Sequence, residues 1–240
     1  MSNIPQTAMI LAAGLGTRMR PLTDDTAKPL LKVAGTPLID WQLGPLIEAG
    51  VKRLVVNTHW CADQVEAHMR GISGVEVVFS DEREQVLETG GALAKAAPLL
   101  GDEPIFVVNT DAFFMPGDAE PILALANAYF PSVMDEVLLL ADRERCLGFD
   151  GAGDFFLDNK GALTHRGEEI SAPWAYAGLR IVNPKLYAAQ AAEPFSAFRI
   201  WSDLLPNKRM HGVPLDRFWL HVGDPAALKD AEMWMRCHGV

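Results

Sequence analysis

The sequence predicts an α/β protein built on a Rossmann-like, doubly wound sheet that is mostly parallel and partly mixed. Three observations carry this. Short, nearly continuous apolar runs recur through the first half, as parallel strands buried on both faces require. Segments of helical character separate them, so the connections are right-handed crossovers. Residues able to do chemistry gather just after the runs, at the carboxyl ends of strands where open α/β sheets bind ligands.

The elements follow in order. Strands are expected at Ala8–Ala12, Arg53–Asn57, Val75–Ser80 and Pro104–Asn109, with helices between them at Leu38–Glu48, Ala62–Arg70 and Gly90–Leu99. The second half is less regular. Val137–Ala141 reads as another buried strand. Residues 153–163 read as a hairpin around Asn159-Lys160-Gly161. Trp174–Val182 and Phe218–Val222 complete the strands, and Pro225 starts a last helix reaching about Cys237. No linker rich in Pro, Gly and Ser interrupts the chain. Residues 1–240 are therefore expected to form one domain with a substrate-binding subregion, its two halves running over about 1–115 and about 116–240.

Composition narrows the function. The chain has 240 residues, 49% of them hydrophobic, enough for a large core. A net charge of −10 argues against nucleic acid as a partner. Three widely spaced cysteines, Cys61, Cys146 and Cys237, suggest neither a disulfide framework nor a metal site. They fit a reducing compartment, and the expected location is cytoplasmic. No run approaches the roughly 20 apolar residues of a membrane span, and the N-terminus does not read as a signal peptide. No protein partner is readable.

The most specific segment follows the first strand. Leu11, Ala12 and Ala13 lead into Gly14, Leu15, Gly16, Thr17, Arg18 and Met19; Pro21-Leu22-Thr23 and Lys28-Pro29-Leu30 come next. Glycines let main-chain N–H groups turn toward phosphate oxygens, and the cations neutralise what amides cannot. A nucleoside triphosphate fits that combination. A P-loop is excluded because no Gly-Lys-Ser/Thr occurs. A dinucleotide fingerprint fails because Met19 takes its last glycine position and Asn57, not an acid, ends the second strand. Asp111, after Ile105–Asn109 and Thr110, sits at the mouth of a buried strand. There a carboxylate can hold Mg²⁺ bridging triphosphate oxygens, a reading we prefer to a turn cap.

From Leu11 to Leu30 the chain resembles the signature of the sugar-1-phosphate nucleotidyltransferases, and weaker likeness extends along most of its length. The resemblance implies a GT-A-like nucleotidyltransferase fold and a reaction joining a nucleoside triphosphate to a sugar 1-phosphate with release of pyrophosphate. It assigns Leu11, Ala12, Ala13, Gly14, Gly16, Thr17 and Asn109 to the nucleotide and Asp111 to Mg²⁺. Leu87-Glu88-Thr89-Gly90-Gly91 resembles the base-recognition segment, adding Thr89 and Gly90 to the nucleotide residues; ordinary helix opening is the plainer alternative.

Near the C-terminus, Trp219-Leu220-His221-Val222-Gly223-Asp224-Pro225 resembles the family's W-x-D-x-G-T-P but departs from it. His221 stands at the family's second metal aspartate, and Asp224 replaces its threonine. Two readings stay open. Asp224, the preferred one, supplies the second carboxylate; or His221 occupies the position as a poorer Mg²⁺ ligand. N-capping of the last helix by Asp224 is compatible with either.

Residues 153–161 and Tyr176-Ala177-Gly178 are similar to the subgroup containing N-acetylmuramate 1-phosphate uridylyltransferases of cell-wall recycling. On that likeness UTP and N-acetylmuramate 1-phosphate are the expected substrates, with about 1–115 as the nucleotide-binding half, about 116–240 as the sugar-phosphate-binding half, and Asp154, Tyr176 and Gly178 at the sugar phosphate. A mannose-1-phosphate guanylyltransferase remains an alternative, and a non-catalytic sensor is the alternative of another class. In the implied chemistry the sugar phosphate attacks the α-phosphorus in line. Arg18 grips the triphosphate and Lys28 stabilises charge at the α-phosphate; no general base is needed because the attacking phosphate is already ionised. His59, Trp60, Met233 and Trp234 read as structural, and Phe113 and Phe114 as core or pocket wall.

Overall fold

In the computed structural model, which describes residues 4–240, the four apolar runs of the first half pair as parallel strands. Their order is Glu76–Asp81, Arg53–Thr58, Thr7–Leu11, Ile105–Asn109. The chain first builds outward on one side of Thr7–Leu11 and then returns to its other side. Strand order therefore reverses between Leu11 and Asn109, which are paired neighbours. A crevice opens at the carboxyl ends of strands at such a switch point.

Strand alternation puts helices on both faces. Ala8, Ile10, Leu54 and Val56 point toward Ile39, Leu43 and Leu46 of helix Leu38–Glu48 and Val65 and Met69 of helix Ala62–Arg70. Met9, Val55 and Val107 point the other way, onto Ala92, Leu93, Ala96 and Leu100 of helix Glu88–Leu100. Every one of these side chains is buried. At about 25 cal/mol per Å² of apolar area, such two-sided burial is what holds parallel strands.

The second half extends the same nine-stranded sheet with antiparallel pairing. Trp174–Val182 runs against Ile105–Asn109 and also against Glu136–Asp142 and Phe155–Leu157. Its register slips between Tyr176 and Arg180, where Gly178 takes φ +87°. A Cβ at Gly178 would come within 3.3 Å of the Asn109 Cβ. The expected hairpin forms, Phe155–Leu157 against Leu163–His165; Asp158 Oδ1 accepts from the amides of Lys160 and Ala162 at its turn.

Several elements were not expected. Met210–Pro214 (MHGVP) pairs parallel with Glu136–Asp142, although His, Gly and Pro leave it no apolar alternation. Helices Glu120–Ala128 and Phe198–Leu204 are also additional. Ala112–Met115 is a strand of a separate three-stranded sheet with Phe218–His221 and Cys146–Leu147. That small sheet sets His221 opposite Ala112, one residue from Asp111. Among the described residues no helix is long and apolar enough to cross a membrane.

Candidate active site

A cleft of about 330 Å³ lies at the switch point. Leu11, Ala13, Gly14, Gly16, Thr17 and Arg18 form one wall; Asn109, Thr110 and Asp111 form the opposite one. Lys28, Asn57, Glu82, Glu88, Thr89 and Gly223 also line it, with Met19, Pro29 and Val86 as apolar members.

The loop after the first strand is held from behind. Gly16 sits at φ +61°, and a Cβ there would meet Thr23 at 3.0 Å and Lys28 at 3.2 Å. The Thr23 hydroxyl donates to the Gly16 carbonyl at 2.8 Å, and Trp60 Nε1 donates to the Thr23 carbonyl at 2.9 Å. Trp60 thus has the structural role expected of it. At Gly14 no described atom lies within 4 Å of where a Cβ would stand, so packing leaves that side of the loop open. Ala12 does not line the cleft; its amide donates to Asn57 Oδ1 at 2.7 Å.

The charged centre is compact. Lys28 Nζ donates to Asp111 Oδ2 at 2.8 Å. His221 Nε2 stands 4.0 Å from the same oxygen. His221 Nδ1 lies 3.1 Å from the Gly148 carbonyl, an acceptor, so Nδ1 carries a proton there and Nε2 is the ring nitrogen turned toward Asp111. Trp219 stacks on the imidazole with centroids 5.7 Å apart. Burial works against the charged form of Asp111, yet Lys28, His221 and Arg18 together hold its carboxyl below the usual carboxylate range. The Arg18 side chain makes no hydrogen bond or ion pair with the described residues and is free for an anion.

The Asp224 carboxylate is engaged elsewhere. Its Oδ1 accepts from the Ala227 amide at 2.9 Å and N-caps helix Pro225–Cys237. The side chain that stands beside Asp111 is His221, the rival position, while the Asp224 carboxylate bonds the helix it caps. Gly90 also differs from expectation. Its amide and that of Gly91 donate to the Phe195 carbonyl at 2.8 and 3.1 Å, and a Cβ at Gly90 would lie 2.3 Å from the Phe195 ring. Gly90 serves close packing, while Thr89 lines the cleft and its Oγ1 accepts from the Ala197 amide.

The sugar-half residues do not line this cleft. Asp154 Oδ2 accepts from the Tyr176 amide at 2.8 Å, and the Tyr176 hydroxyl accepts from Arg180 Nη1 at 3.1 Å. Arg180 is sealed in the core opposite Glu136, with Nε 3.3 Å from Oε2. Tyr187 OH and Trp201 Nε1 donate to the two Glu136 oxygens at 2.5 and 2.8 Å. Burial raises the Glu136 carboxyl above its ordinary range despite Arg180. Gly178 supplies the left-handed backbone at the register slip.

Sequence reasoning missed one network. Asn57 Nδ2 donates to Glu82 Oε1 at 2.9 Å, and the Leu87 amide donates to Glu82 Oε2 at 3.3 Å. Through Ala12, Asn57, Glu82 and Leu87 the glycine loop is tied to the segment that opens helix Glu88–Leu100. The one available signal was the placement of Asn57 and Glu82 at strand ends. Asn109 Oδ1 is buried and has no hydrogen-bond partner among the described residues, which leaves an acceptor at the cleft wall.

Residues 7–145 match the family model described as Nucleotidyl transferase. The chain is 44% identical over 236 residues to an N-acetylmuramate alpha-1-phosphate uridylyltransferase of Caulobacter vibrioides, covering 97% of this chain and 98% of the relative. It is 34% identical to the Neisseria meningitidis protein of the same name, covering 94% of this chain and 96% of that one. Among solved structures, the inositol-1-phosphate CTP transferase of T. maritima superposes with a TM-score of 0.78 at 18% identity, over 97% of this chain and 96% of that one. At that identity the likeness concerns the fold.

Proposed function

The chain belongs to the nucleotidyl transferase family as a sugar-1-phosphate nucleotidyltransferase, and from that premise we propose that it joins UTP to N-acetylmuramate 1-phosphate. The products are a UDP-sugar, supplied to cell-wall recycling, and pyrophosphate. The observation that carries the reaction is the convergence of an unpaired Arg18, Lys28 and Asp111 on one cleft beside an open glycine loop. The substrates rest on near-full-length likeness to the Caulobacter and Neisseria proteins.

Two polyanions must meet, so the site's work is neutralisation and alignment. The amides around Gly14 and Gly16 and the Arg18 guanidinium receive the β and γ phosphates. Lys28, held at Asp111, leans toward the α-phosphate and offsets the charge that grows there as pyrophosphate leaves. Asn109 and Thr89 face the nucleoside.

Among the described residues no three His, Cys, Asp or Glu side chains converge as a metal cluster, and the one carboxylate at the centre, Asp111, suits a divalent cation that keeps most of its ligands from elsewhere. Asp111 offers a hard carboxylate oxygen at the cleft, and Nε2 of His221 faces it across 4.0 Å. Asp111 would hold Mg²⁺. Bound there, the ion screens repulsion between the phosphates. Asp154 and Tyr176 support the wall of the sugar half through their bond to each other and to Arg180.

The test is pyrophosphate release with Mg²⁺ over a grid of UTP, GTP, CTP, ATP and dTTP against several sugar 1-phosphates. A dominant cell for UTP with N-acetylmuramate 1-phosphate, lost in Asp111→Ala, is the expected result. Dominance of GTP with mannose 1-phosphate would keep the chemistry and replace the substrates. Binding of UTP without turnover in any cell would point to a sensor.

A further inference from the structure

Glu88 opens helix Glu88–Leu100 at φ +58°, a left-handed conformation that glycine adopts freely and a residue with a Cβ does not. Its neighbours impose that backbone. The Leu87 amide is fixed to Glu82, and the Gly90 and Gly91 amides are fixed to the Phe195 carbonyl. Glycine would fit here without strain, yet the position holds glutamate. Its exposed side chain lines the cleft and makes no hydrogen bond or ion pair with the described residues.

An ionised carboxylate only accepts hydrogen bonds, and it is repelled by phosphate. Arg18, Lys28 and the glycine loop already account for the phosphates. The Glu88 carboxylate has to meet the part of the substrate that is neutral and carries donors. We propose that Glu88 is a specificity-determining residue whose carboxylate accepts a hydrogen bond from the nucleoside of the bound triphosphate, through a ribose hydroxyl or a base N–H. This rests on the reading of the cleft as a nucleoside triphosphate site. The local strain is retained because the side chain binds substrate.

The test uses the full chain and direct calorimetric binding, so no sugar need turn over. Glu88→Gly is compared with the parent and with Glu88→Gln, using UTP, 2′-deoxy-UTP, 3′-deoxy-UTP, N3-methyl-UTP and inorganic tripolyphosphate. Glycine removes strain, so E88G is expected to melt above the parent and cannot be dismissed as misfolded. It should nevertheless bind UTP about tenfold more weakly, with E88Q in between. Tripolyphosphate, which lacks a nucleoside, should bind E88G at least as well as the parent. The analogue that lacks the bonded donor should bind parent and E88G alike, which identifies ribose or base.

Equal UTP affinity in parent and E88G overturns the proposal, as does an equal loss for tripolyphosphate. A parent that binds UTP but does not use N-acetylmuramate 1-phosphate defeats only the sugar assignment, and the same E88G comparison still decides the role of Glu88. A parent that binds no nucleoside triphosphate defeats both.

Discussion

On one side of strand Ile105–Asn109, Arg18 and Lys28 stand at an open cleft, one cation unpaired and the other shared with Asp111. On the other side, Arg180 is 1% exposed, faces Glu136 and lies over the Trp201 and Tyr176 rings at 5.3 and 5.7 Å. Both regions hold an arginine and a carboxylate. In the first, Arg18 makes no ion pair with the described residues, so an anion that enters can answer it. In the second the charges answer each other inside the core, and their removal acts on folding. Position relative to the switch point, more than residue type, decides which kind of work a cation does.

The sharpest way to break the contrast is at Arg180. Arg180→Met leaves Glu136 buried without its cation and should cost about 3–5 kcal/mol in urea unfolding. A loss below about 1 kcal/mol would mean the pair is not what holds this region. Lys28→Ala should do the opposite, lowering pyrophosphate release on the order of 10²–10³-fold with little change in the urea midpoint. An unchanged rate would remove Lys28 from the α-phosphate.

A smaller effect separates Asp224 from the catalytic centre. Asp224→Ala loses the bond to the Ala227 amide and should cost about 1 kcal/mol while turnover stays within about twofold. A collapse of activity with stability intact would make Asp224 a metal ligand.

The smallest effect is in acid. Arg209 donates to Asp135 at 2.7 Å, and this bond holds the Asp135 carboxyl below its ordinary range. The carboxylate therefore adds stability above the unfolded value of about 3.9, and that stability is lost as pH falls toward the lower folded value. Urea midpoints taken between about pH 5 and 3 should fall more steeply for the parent than for Asp135→Asn. Parallel curves would show that Asp135 contributes no linkage.

Much of the first half was legible because its signals are local. Runs such as Met9-Ile10-Leu11 and Ile105–Asn109 announce strands buried on both faces. Helices Leu38–Glu48 and Ala62–Arg70 fall at the expected bounds. Ten of the sequence-derived residues, Leu11, Ala13, Gly14, Gly16, Thr17, Arg18, Lys28, Thr89, Asn109 and Asp111, line the cleft. The second half was less legible because its pairings are long-range. Met210–Pro214 is a strand by virtue of the edge it joins, and Gly90 is glycine because Phe195 packs on it from over a hundred residues away.

By itself the sequence determined the alternating α/β plan, the loop that turns at Gly14 and Gly16, and the strand-end positions of Asn57, Glu82 and Asp111. Periodicity and backbone freedom are properties of neighbouring residues. Only the tertiary structure decided what those groups touch. His221 rather than Asp224 faces Asp111 because Phe218–His221 pairs antiparallel with Ala112–Met115 in the register that sets His221 opposite Ala112. Asp224, three residues on, is taken by the helix it caps. Register and packing between distant segments choose a side chain's partner, and local sequence carries no measure of either.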